Sequence, residues 1–85
     1  KSFNERLAVG YSAVTGVRQT ALTLLTANKI TAADAQNVQS QADNARAALD
    51  IARTTHATSP DLAANKLASA ITALTALQTY LGGVK

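Results

Sequence analysis

The chain has 85 residues and a net charge of +3, with no cysteine and no methionine. A single domain of this length buries only about 60–65% of its unfolded surface, so its core is small. The missing cysteines exclude disulfides and thiolate chemistry, no segment nears the eighteen or so apolar residues of a membrane span, and no run of Lys or Arg marks a nucleic-acid surface.

Alanine accounts for nineteen residues, and the only aromatics are Phe3, Tyr11 and Tyr80. Such a composition suits thin, closely packed helices and leaves little room for a ligand-sized cavity. In the first segment Phe3, Leu7, Gly10, Val14, Val17, Ala21 and Leu24 recur at alternating steps of four and three. This is the apolar seam of a packed helix, predicted over about 2–28.

The second segment opens on "ITAAD". Thr31 is the expected N-cap and Asp34 its capping-box partner, with Ile30 placed to fold back as a hydrophobic staple. Ala35, Val38, Ala42, Ala45, Leu49, Ala52 and His56 continue the seam over a helix at about 32–57. Small side chains let neighbouring backbones approach to the short end of the usual ~8–10 Å interaxial range, and alanine has the highest helix propensity. Asp43 with Arg46, and Asp50 with Arg53, are spaced as i,i+3 pairs on a solvated face.

The third segment opens on "SPD". Ser59 is the expected N-cap, Pro60 takes the first helical position and Asp61 lies in the first turn. Ala63, Leu67, Ala70, Leu74, Leu77 and Leu81 form its seam over about 60–81, and "LGG" supplies the stop. Lys29, Arg53 and His56 sit near helix C-termini, where positive charge is favoured. Short links between helices of similar length predict one all-α domain over 1–85, an antiparallel up-down-up three-helix bundle.

Motifs that carry chemistry are missing. His56 is the only histidine, so no zinc-type ligand set exists and its expected role is capping or partial burial. The eleven threonines and the serines lie in no nucleophile elbow, and Gly10, Gly16, Gly82 and Gly83 form neither a P-loop nor a dinucleotide fingerprint. The expectation is a non-enzymatic protein without cofactor or metal. The candidate partner-binding face is the small-sided ridge Val9, Ala13, Gly16, Thr20 on the first helix, either an ordinary second contact within the bundle or a docking groove for another helix. Glycine inside a helix costs roughly 1 kcal/mol relative to alanine, so Gly10 and Gly16 both suggest close approach by something.

The run "KITAADAQNVQSQADNARAALDIAR", with likeness extending through "LTALQTYL", resembles small uncharacterised alanine-rich helical proteins of proteobacterial prophages and tailed phages. In those, a similar block follows a lipoprotein-type signal. The resemblance implies an exported module, periplasmic or tethered to the outer membrane by a lipid upstream of Lys1, and it implies no known activity. The absence of Met at position 1 fits a chain that begins after a segment was removed. The expected function is therefore a helical interaction or structural module of an envelope lipoprotein. The alternative is a small cytoplasmic phage protein that binds nucleic acid through Arg6, Arg18, Lys29, Arg46, Arg53 and Lys66. The partner is expected to be a protein. A homo-oligomer built on helix-one faces would cover surplus apolar surface at Leu22, Leu24 and Leu25.

Overall fold

A computed structural model describes residues 2–84, so the terminal charges Lys1 and Lys85 lie outside the described residues. Three helices, α1 (Phe3–Thr26), α2 (Ala32–Thr55) and α3 (Pro60–Gly82), make the described residues 86% helical with no strand among them. All three helices pack against one another, α2 and α3 most closely and α1 and α3 least. The molecule is all-α, a three-helix bundle measuring 45 × 22 × 15 Å between Cα atoms.

The short turns fix the register. Phe3 meets His56, Gly10 meets Leu49, Tyr11 meets Asp50 and Arg18 meets Asp43. The sequence midpoint of every pair falls between Lys29 and Thr31, as an antiparallel hairpin about that turn requires. Across the second turn, Val38 lines a groove with Leu77, and Ala45 lines one with Ala70. Those midpoints fall at Ala57–Thr58.

The turn after α1 has a specific backbone solution. Asn28 adopts φ 59°, the left-handed conformation that asparagine tolerates better than most residues. Asn28 N–H donates to the Leu25 carbonyl at 3.0 Å and Lys29 N–H to the Leu24 carbonyl at 2.8 Å, the paired bonds of a Schellman motif. Ile30 is then buried, and Thr31 and Asp34 close the expected capping box: Asp34 N–H donates to Thr31 Oγ1 at 3.0 Å and Thr31 N–H to Asp34 Oδ2 at 3.5 Å. A second capping box, which the sequence reading missed, starts α1. Glu5 N–H donates to Ser2 Oγ at 3.1 Å and Ser2 N–H donates to Glu5 Oε1 at 3.2 Å. The bond from the Ser2 backbone, then that from its hydroxyl, holds the Glu5 carboxyl below its ordinary pKa.

The core is the three seams. Leu49, Leu67, Leu74 and Val17 are its largest fully buried side chains, and no polar or charged side chain is buried among the described residues. Ala42 and Ala52 on α2 are fully enclosed, which places alanine where α2 meets both neighbours. Phe3 and Leu24, the outermost members of the first seam, only pack against its edge.

Three local expectations are corrected. Asp43 is not paired with Arg46; it pairs with Arg18 of α1, because the hairpin register brings that guanidinium opposite it. Ser59 occupies the N-cap position without a side-chain capping bond, at φ −140° and ψ 73°. His56 does not continue the buried seam: it takes the C-cap position of α2, is exposed, and its ring stacks on Phe3, centroids 3.9 Å apart and planes 6° from parallel. Gly83 caps α3 as expected, at φ −86°, a conformation open to any residue.

Candidate functional site

Each groove between two helices has its own chemistry. The α1–α2 seam is polar and occupied. The Arg18 guanidinium pairs with Asp43, and its Nη1 donates to Gln39 Oε1 at 3.0 Å. Gln39 Nε2 donates back to the Arg18 carbonyl at 3.4 Å. Two turns away, the Tyr11 hydroxyl donates to Asp50 Oδ1, Arg53 lies 3.7 Å from the same oxygen, and its guanidinium sits 5.8 Å from the Tyr11 ring centroid. Removal from water, then the Asp50 hydrogen bond and charge, raise the Tyr11 pKa above its ordinary value. Both carboxylates already hold a partner, so this seam is a set of positioning contacts. Exposed ion pairs of this kind are worth roughly 0–1 kcal/mol each.

The α1–α3 seam contains the ridge singled out from the sequence. Val9 is exposed and Ala13 half-buried; together with Gly10 they line a narrow groove against Ile71, Leu74 and Gln78. Gly16 and Thr20 are exposed and line the next groove along, against Gln78, Leu81 and Gly82. Both halves of the ridge thus border α3, the Val9 and Ala13 half on a narrow groove and the Gly16 and Thr20 half on a wider one. The two glycines differ. A Cβ on Gly10 would lie 2.7 Å from Leu49 Cδ2, so the close approach inferred there is an internal one, whereas a Cβ on Gly16 would meet nothing within 4 Å. Of the supposed surplus on α1, Leu24 and Leu25 pack on the core and only Leu22 remains largely exposed.

The α2–α3 side is the third surface, and sequence reading missed it. On α2 it presents Asn37, Gln41, Asn44, Ala48 and Ile51; on α3 it presents Leu62, Ser69, Ala73, Ala76 and Tyr80. Shallow grooves of about 300 Å³ and 280 Å³ run along it. Three of the five exposed large apolar side chains, Ile51, Leu62 and Tyr80, are on this side. Among the described residues its only charged ones are Asp34 at one end and Lys66 toward the other. The signal was present as a second heptad on each helix, one residue ahead of the buried one.

None of these surfaces encloses a recess with converging polar groups, and no group of three or more His, Cys, Asp or Glu residues is placed to hold a metal among the described residues. No protein-family model, curated protein or solved structure matches the chain.

Proposed function

We propose that the chain acts by binding another protein, as the soluble helical module of a phage-encoded envelope lipoprotein, and that it performs no catalysis. The observation that carries the binding half of this reading is the α2–α3 side. It is broad, nearly free of charge and bears three exposed large apolar residues, the composition that marks interface centres rather than solvated surface. The envelope half rests on the sequence resemblance.

Charge distribution favours a protein partner over nucleic acid. Arg18 and Arg53 are held by Asp43 and Asp50. Arg6, Lys29, Arg46 and Lys66 are spread over α1, the first turn, α2 and α3, so few phosphates could be neutralised together.

The test uses the whole gene product in its bacterial host. The expected result is labelling by radioactive palmitate, a position in the membrane fraction, and digestion by protease added to spheroplasts. A cytoplasmic, unlabelled product that shifts duplex DNA at submicromolar concentration in about 150 mM salt would replace this reading with the nucleic-acid one.

A further inference from the structure

We infer that the α2–α3 side is covered by a second copy of this chain, laid antiparallel across it about a two-fold axis passing near Gln41 and Ala73. The inference rests on the reading of this side as an interaction surface and names its occupant.

Charge selects the occupant and its direction. Each chain carries a net charge of +3, so most ways of bringing two copies together place like charges near one another. The α2–α3 side is the broad face on which charge is confined to two corners, and the corners have opposite sign. Asp34 stands beside Tyr80 and Ala76 at one end. Lys66 lies on α3 one turn before Ser69 and Ala70, which line the groove toward the other end. Neither residue belongs to an ion pair among the described residues. Asp34 Oδ2 accepts from its own N-cap, and among the described residues no hydrogen bond occupies its Oδ1. A parallel pairing would bring the two Lys66 ends together and the two Asp34 ends together. An antiparallel pairing brings Lys66 of each copy to the Asp34 end of the other, so both borders of the contact become attractive.

Shape agrees with that direction. Ala73 lies midway along α3 between Lys66 and Tyr80, and Gln41 lines both grooves of the face. Ser69, Ala73 and Ala76 are exposed and small, which lets two α3 helices cross closely. Exposed Leu62 and Tyr80 then lie toward opposite ends, where each covers the second copy's rim. Two helices side by side are about 20 Å wide, and the face is about 27 Å long. That is on the order of 500–600 Å² per chain, at the lower edge of specific interfaces and consistent with micromolar association. The assembly places a two-helix layer on a two-helix layer, the packing of a four-helix bundle, with α1 outside.

The chain has no native cysteine, so a single introduced thiol reports position. Ala73→Cys should be converted to a covalent dimer by a short bifunctional maleimide, whereas Gly16→Cys on α1 should not. Light scattering should give the mass of two chains at high micromolar concentration. Ala73→Arg, which places two guanidinium groups at the axis on an exposed position, should give a monomer of unchanged helical circular dichroism. Lys66→Glu should weaken the dimer at least tenfold, and adding Asp34→Lys should restore it. A strict monomer, a dimer insensitive to Ala73→Arg, or cross-linking from Gly16→Cys in place of Ala73→Cys would overturn the proposal. None of these results depends on palmitate labelling or cell fractionation, so failure of the self-pairing is separable from failure of the envelope reading.

Discussion

The two flanks of α2 are made by the same helix and have opposite characters. Toward α1 it presents Gln39, Asp43, Arg46, Asp50 and Arg53; toward α3 it presents Asn37, Gln41, Asn44, Ala48 and Ile51. The first flank is answered by Arg18 and Tyr11, and the helices there are held by directed contacts. The second has no polar contact across to α3 among the described residues, yet α2 and α3 pack against each other more extensively than any other pair. The difference teaches that alanine packing and polar pairing divide the work in a thin bundle. Small side chains fill the contact between α2 and α3, and directed pairs join α1 to α2 in the register that the short turn sets.

The largest test of that division is the core residue shared by both flanks. Leu49 is fully buried and is the main large side chain on the α2 seam. Leu49→Ala should lower the unfolding free energy by about 2–4 kcal/mol in urea denaturation. A loss under about 0.5 kcal/mol would mean that the bundle closes over the gap and that α2 contributes distance alone.

Gly10→Ala sharpens the same point from the facing helix. The added methyl would lie 2.7 Å from one terminal carbon of Leu49 and 3.1 Å from the other, and Leu49 has no open side toward which to swing. Overpacking costs about 1–3 kcal/mol, against roughly 1 kcal/mol gained in helix propensity, so a net loss of about 1 kcal/mol is expected. In a Leu49→Ala background the same substitution should instead stabilise, because the methyl then enters vacated space. Additive double-mutant energies would break the Gly10–Leu49 pairing.

Tyr11→Phe tests the polar flank, with an expected loss of about 1 kcal/mol at neutral pH. The sign of its pH dependence follows from the raised Tyr11 pKa. The folded state holds the phenol proton more tightly than the unfolded state does. The contribution is therefore complete below the ordinary tyrosine value of about 10 and is lost as pH rises through the raised one. Alkaline unfolding should narrow the gap between wild type and Tyr11→Phe. A gap that widens above that range would mean that the hydroxyl is not donating to Asp50.

The smallest effect is expected at Gly16, where nothing lies near an added Cβ. Gly16→Ala should stabilise by about 0.5–1 kcal/mol, read as a raised melting temperature. A stabilised protein that no longer binds its partner would show that the ridge Val9, Ala13, Gly16, Thr20 is used from outside. Destabilisation would show that α3 closes on it more tightly than the open groove implies.

Most of the fold was legible because its determinants are local. Steps of three and four identified all six buried positions of α2 and of α3, and the five central ones of α1. The Thr31–Asp34 capping box and Pro60 placed two helix starts, since a cap needs only residues within one turn. The α1 end was expected near Asn28 and falls two residues earlier, at Thr26, because the Schellman bonds consume the last carbonyls. The Ser2–Glu5 box had the same local signature, and the apolar seam drew attention away from it.

Which side chains meet across helices was not legible in this way, because it depends on the register between helices. Asp43 has Arg46 three residues away on its own helix, and local spacing favours that pair. The turn at Asn28–Thr31 instead brings Arg18 opposite, and a cation across the seam needs no rotation of either helix. His56 holds the C-cap position that its place in the sequence suggested, and the same register adds the Phe3 ring against it. The division of charge between the two flanks of α2 was written in the chain throughout. It became a difference between a filled seam and an open face only once α1 lay against one flank and α3 beside the other.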